Sequence, residues 1–224
     1  MKHKKGRIAI GIMYVIILFS AVYVTLMYLT HDPVNAPVVK NKLDQPGFSL
    51  TAWKVAFYPH IVLGTVALAI GPVQFLNRRR GKRQGHRILG RIYAAAIGIN
   101  ILVVPYMAIF ATGGKGSTVA FLVLDAAWLW TTAMGVWRIW QRNVAAHRKW
   151  MVRSYAVTWG FVSFRLIVAV ISLLTHAPTS VAFPVGVYVS LVLNLLVAEW
   201  LLRGRKAKPV SGSRPLREAV QAID

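Results

Sequence analysis

Long apolar runs separated by short polar or basic breaks dominate the chain, at about 8–29, 54–76, 89–111, 118–140, 153–174 and 183–202. Each is close to or above the roughly 20 residues that an α-helix needs to cross a bilayer core. Lipid offers no partner to backbone N–H and C=O groups, so crossing segments must be helices or strands of a closed barrel. No ten-residue alternation of the barrel kind occurs. The pattern therefore predicts an all-α integral membrane bundle of six helices over 1–204, followed by a polar, basic tail over 205–224 that is expected to be disordered. Between the first two runs, residues 30–53 carry Pro33, Pro37, Pro46 and Gly47, which predicts an extended outer loop without a core of its own. Lys2, Lys4, Lys5 and Arg7 precede the first run as in a signal peptide. That run is too long for a cleaved segment and no small-x-small site follows it, so it is read as a retained anchor.

Charge then orients the helices. Lys and Arg crowd the N-terminus, the 77–91 connection (Arg78 to Arg80, Lys82, Arg83, Arg87, Arg91), the 138–153 connection (Arg138, Arg142, Arg148, Lys149, Arg153) and the tail. By contrast, 30–53 sets Lys40 and Lys42 against Asp32 and Asp44, and 112–117 has Lys115 alone. Basic connections stay in the cytoplasm, so both termini are predicted there and three connections outside. The net charge of +21 follows from this bias and from contact with anionic lipid head groups. No basic soluble domain studded with aromatics is present to suggest nucleic acid. The chain has no Cys, which excludes disulfides and thiolate metal sites, so any redox role would need a bound cofactor.

The breaks repeat. His86-Arg87, Arg91 and Tyr93 lead into one apolar run, and His147-Arg148, Arg153 and Tyr155 into another. Each follows a span ending in Gly and an aromatic, Gly71 to Phe75 and Gly135 to Trp137. Spans two-three and four-five then form two parallel two-helix repeats whose pseudo-two-fold axis lies along the membrane normal. Together with His60-x-x-x-Gly64, Gly71-Pro72-x-Gln74-Phe75, Gly90, Trp150-Met151 and Arg165, these motifs resemble a bacterial family of predicted multi-pass membrane proteins known only as a domain of unknown function. The resemblance covers about 55–170. It implies an integral protein of the bacterial cytoplasmic membrane and no particular reaction.

Candidate chemistry lies in the spans. If span five is one helix from His147, then Ser154, Thr158, Phe161, Arg165, Ser172 and His176 share a polar face that must look into the bundle. Arg165 needs a partner there, and Asp125 on span four lies at similar depth. On span two, His60, Gly64, Ala67 and Gly71 share a face of small residues, suited to close helix packing or to the flat face of a macrocycle. His86 and His147 occupy equivalent places in the repeats, where paired imidazoles could grip haem b with Arg87, Arg91, Arg148 and Arg153 near the propionates. His-Arg at that level also suits lipid phosphate. Glu199, one turn before Arg203, suggests a local ion pair.

Two functions fit these residues. One is a haem b electron-transfer protein working between a quinone and an acceptor, with His86 and His147 as iron ligands and His60 and His176 as outer ones. Its architecture resembles membrane cytochromes of the b561 type, which place a His on each of four central spans; span four here, Val119 to Trp140, has none. The other is a small transporter or lipid-binding protein with an Arg165, Asp125 and His60 site. Hydrolase and kinase motifs are missing.

Overall fold

A computed structural model describes residues 2–28, 37–77 and 83–204, and every regular element among them is a helix. These are α1 (Lys2–Tyr28), α2 (Pro37–Lys40), α3 (Leu50–Asn77), α4 (Arg83–Ile109), α5 (Lys115–Trp140), α6 (Val144–Thr158), α7 (Gly160–Thr175) and α8 (Thr179–Arg203). By length and composition α3, α4, α5 and α8 can each cross a bilayer, while α6 and α7 together form a crossing bent by 42°. The described part of α1 holds a shorter apolar stretch, Ile10–Tyr23. Where six spans are expected, the described residues thus supply five that qualify. The 29–36 stretch with Pro33, the basic 78–82 run and the 205–224 tail lie outside the described residues. Leu102, Leu173 and Leu196 are exposed on the helix surfaces, as contact with lipid tails requires.

Span five is not one continuous helix. Thr158 Oγ1 donates to the Ser154 carbonyl at 2.9 Å, a back-bond that bends helices. One turn later the Val162 and Ser163 amides both donate to the Trp159 carbonyl, at 3.0 and 3.1 Å. The polar face expected from His147 to His176 is accordingly divided. Ser154 and Thr158 are fully buried in α6, Arg165 is exposed on α7, and His176 is an exposed left-handed cap at the end of α7 with φ of 50°.

What holds α6 in the bundle is a lock against α3. Proline has no N–H, so Pro72 leaves the Leu68 carbonyl without its helical donor. Tyr155 Oη donates to that carbonyl at 3.0 Å. Its ring reaches the spot only because residue 71 is Gly; a Cβ there would overlap the ring. A Cβ at Gly64 would likewise lie 3.1 Å from the Phe161 ring. The small-residue face of α3 is therefore filled by side chains of α6 and α7. The space it offered a macrocycle is occupied.

A second lock joins α4, α5 and α6 through hydroxyls, and its proton directions follow from donor chemistry. Thr158 gives its one proton to the Ser154 carbonyl, so it can only accept from Trp128 Nε1 at 2.8 Å and from Tyr93 Oη at 2.8 Å. With the Tyr93 proton committed, Ser154 Oγ donates to Tyr93 at 2.9 Å and Thr132 Oγ1 donates to Ser154 at 2.8 Å. Every hydroxyl in this chain is satisfied, as burial in an apolar bundle demands.

At the end of the bundle remote from the Arg-rich breaks, the connection before α3 departs from the expected coreless loop. Val39 and Lys42 are buried, and Val39 packs with Trp53 and Phe57. Lys42 Nζ donates to the Phe110 carbonyl, just beyond the last turn of α4. Burial disfavours its charged form and pulls its pKa down from 10.5 to about 8. The unfolded chain holds this proton up to its ordinary value, so between about 8 and 10.5 it binds more protons than the folded one and stability rises with pH. Below pH 8 the burial penalty is fully present. The melting temperature in detergent should therefore climb from pH 8 to 10 by more than in Lys42→Met. Equal slopes would mean that Lys42 is not buried as an ammonium.

Candidate functional site: a polar belt at mid-membrane

Four helices each place a polar side chain at one depth. His60 lies ten residues from the start of α3 (60 − 50), Asp125 ten from the start of α5 (125 − 115), Arg165 ten from the end of α7 (175 − 165), and Asn100 nine from the end of α4 (109 − 100). These are the ends near Lys42. At 1.5 Å per residue each group is about 15 Å in, roughly the middle of a hydrocarbon core about 30 Å thick.

Beside this belt is a cavity of about 530 Å³ with His60, Asp125 and Arg165 in its wall and Lys42 toward one end. The remaining wall is apolar and rich in aromatic rings, including Trp53, Phe57, Trp128 and Phe161. α1 contributes Phe19, Ser20 and Tyr23 to one side. A recess of about 30 Å³, enough for a water molecule, adjoins it between α1, α3 and α7 at His60 and Arg165.

The belt is polar but incompletely bonded. Asp125 is 8% exposed, and its buried Oδ1 has no hydrogen bond. No ion pair joins it to Arg165, contrary to the expected pair; the Arg165 guanidinium donates to the Phe161 carbonyl at 3.4 Å and lies 5.5 Å from the Phe164 ring centre. One turn of α7 thus satisfies part of the guanidinium locally, and the group faces outward at the cavity wall. The His60 ring is tilted against Phe161 with centroids 5.1 Å apart, and Asn100 and Arg165 are its polar neighbours. Its Nδ1 and the Asn100 Oδ1 are buried without hydrogen bonds.

The expected haem ligands occupy three separate places. His86 lies near the start of α4 and His147 near the start of α6, both at the basic end; His60 is at mid-depth and His176 is exposed near the opposite end. Seven residues beyond His86 and His147, Tyr93 and Ser154 hydrogen-bond to each other, so the two histidines enter on neighbouring helix faces (93 − 86 and 154 − 147). Their environments differ. Gln74 Nε2 donates to the His86 backbone carbonyl at 3.0 Å, whereas the His147 Nδ1 itself meets the Gly135 carbonyl at 2.7 Å. Arg87 and Arg91 are exposed and Arg148 is half-buried. Arg153 is committed: it pairs with Glu199 on α8 at 2.5 Å and stacks over Trp150 at 4.8 Å. Glu199 is therefore tied across the bundle to Arg153, where a local pair with Arg203 is expected from sequence. Among the described residues no group of three or more His, Asp or Glu could hold a metal ion.

Sequence reasoning had no signal for Lys42 as a buried group, for Asn100 beside His60, or for Trp128 and Thr132 in the hydroxyl chain. Each is one polar position in an apolar or loop stretch, and only the packing of distant helices gives it a role.

Residues 57–202 match the family described as predicted membrane protein DUF2306, and the chain belongs to that family. No curated protein and no solved structure matches the chain.

Proposed function

We propose that this DUF2306 protein binds a lipid-soluble small molecule within the bilayer, as a small transporter or lipid-binding protein whose site is the cavity beside Asp125, His60 and Arg165. The observation that carries this reading is the Asp125 carboxylate, buried at a cavity wall with Oδ1 unbonded. A buried polar group without a partner costs about 1–3 kcal/mol, more if charged, and such groups are retained in membrane helices chiefly for function. A ligand group donating to Asp125 would offset that penalty. The cavity, about 530 Å³, falls within the usual range for small-molecule sites, and its apolar wall suits a molecule arriving from lipid. Protein purified in mild detergent should carry a stoichiometric apolar molecule in its organic extract, detected by mass spectrometry and depleted in Asp125→Leu. An extract unchanged by that substitution, with no saturable binding of added apolar probes, would sink the reading.

A second reading, haem b held by His86 and His147, has one observation in its favour. A ligating His commonly holds a carbonyl through Nδ1 and leaves Nε2 for the metal, and His147 meets the Gly135 carbonyl in that way. The absorption spectrum of the same preparation decides it: a Soret band lost in His147→Ala supports haem, and colourless protein from haem-replete cells rejects it. We further infer that the basic end faces the cytoplasm of a bacterial cell, among anionic head groups. Reporter fusions at Arg142 and Lys115 should fall on opposite sides, with Arg142 inside.

A further inference from the structure

Resting on the cavity as a ligand site, we propose that its ligand is a neutral, lipid-borne ring carrying hydroxyl or carbonyl groups, of the quinol and quinone class. Charge is the first argument. The wall holds a carboxylate, Asp125, and two cationic side chains, Arg165 and Lys42, with no ion pair between Asp125 and either of them. A fatty acid anion entering this space meets Asp125, and a lipophilic cation meets Arg165 and Lys42, so each finds a like charge in an apolar medium. A neutral molecule meets neither penalty.

Hydrogen bonding is the second argument. Asp125 Oδ1 is a buried acceptor without a donor, and the His60 Nδ1 is a buried nitrogen without a partner that serves as donor or acceptor according to its tautomer. Both residues line the cavity. A ring hydroxyl donates to the carboxylate, and a ring carbonyl or second hydroxyl pairs with the imidazole. A purely hydrocarbon ligand would leave both groups unbonded.

Shape is the third. Trp53, Phe57, Phe121, Trp128, Phe161 and Phe164 surround the space. Aromatic faces favour offset or edge-on contact with another flat ring at centroid separations of about 4.5–7 Å. The existing wall pairs follow that geometry, with Trp128 and Phe161 edge-on at 5.2 Å and Phe121 and Phe164 at 5.6 Å. The belt lies near mid-bilayer by helix rise, a depth that a tailed ring reaches directly from lipid. The proposal concerns binding and includes no electron transfer.

The test uses the full chain in detergent and three probes: a short-chain benzoquinol with its quinone, oleate, and tetraphenylphosphonium. Binding is read as the saturable part of tryptophan quenching, since Trp53 and Trp128 are in the wall, and is confirmed by thermal shift. The ring probes should bind in a 1:1 ratio, with affinity reduced about 10- to 100-fold in Asp125→Leu and less in Asp125→Asn, which keeps one carbonyl oxygen. His60→Leu should weaken the ring probes by a similar factor. Ala169→Phe, which fills the cavity from its rim, should abolish binding while leaving the monodisperse peak unchanged. If oleate or tetraphenylphosphonium saturates the site and the rings do not, the ring assignment is overturned while the cavity remains a ligand site. If no probe shows saturable binding that Ala169→Phe removes, both readings fall.

Discussion

Gly71→Val is expected to leave no folded protein in detergent, and Gly71→Ala a protein destabilised by roughly 3 kcal/mol, the upper part of the range for overpacked cores. A Cβ at position 71 falls inside the Tyr155 ring, and that ring cannot step aside without giving up the Leu68 carbonyl. Pro72 removed the donor that this carbonyl would have had from the helix, so displacing Tyr155 orphans it in an apolar bundle. Two further substitutions separate sterics from hydrogen bonding. Tyr155→Phe keeps the ring and loses only the Oη bond, at about 1–3 kcal/mol. Tyr155→Ala loses both, at about 3–5 kcal/mol, but leaves room for a methyl at position 71. Gly71→Ala in the Tyr155→Ala background should therefore be nearly neutral, a coupling close to the whole effect of Gly71→Ala alone. Additive melting shifts across that cycle would show that the two side chains do not share the space.

This lock also explains which parts of the molecule were readable from sequence. The apolar runs placed the qualifying helices because lipid thickness and backbone satisfaction leave few alternatives, and those constraints act on each segment alone. The Gly71-Pro72 and Arg153-Ser154-Tyr155 motifs could be quoted but not connected, since nothing in either says that a ring from one fills the gap in the other. The polar stripe failed for a different reason. Counting 100° per residue from His147 assumes an unbroken helix, and the Thr158 back-bond bends the span before Arg165 is reached. Arg165 and Asp125 were correctly placed at one depth, because rise per residue survives a bend better than rotation does. Whether they touch depends on rotation, and they form no ion pair. Glu199 shows the same limit: four residues to Arg203 is a helical neighbour, yet the ion pair runs 46 residues back to Arg153.

Thr158→Val should be the most damaging conservative change in the hydroxyl chain, and the ordering of its neighbours follows from proton direction. Thr158 is the terminal acceptor: Trp128 Nε1 and Tyr93 Oη both donate to it, and neither has another printed acceptor within the buried cluster. Valine fills the same volume and accepts nothing, so two buried donors are left unbonded, at about 1–3 kcal/mol each by soluble-protein experience. Hydrogen bonds in membrane bundles average nearer ~0.6 kcal/mol because the unfolded chain also finds partners, which places the sum at about 2–4 kcal/mol. Tyr93→Phe should cost less, since the freed Ser154 hydroxyl sits on a helix and can turn to a backbone carbonyl one turn back. Thr132→Val should cost least, because it removes only the first donor in the chain and leaves Ser154 with its donation to Tyr93 intact. Thr158→Ser keeps the oxygen and should stay within about 1 kcal/mol of the parent. Melting temperatures of the four variants in one detergent test the order. If Thr132→Val proves as damaging as Thr158→Val, protons do not run toward Thr158. If Thr158→Ser is as damaging as Thr158→Val, the methyl packing of Thr158, not its oxygen, holds α6 against α4 and α5.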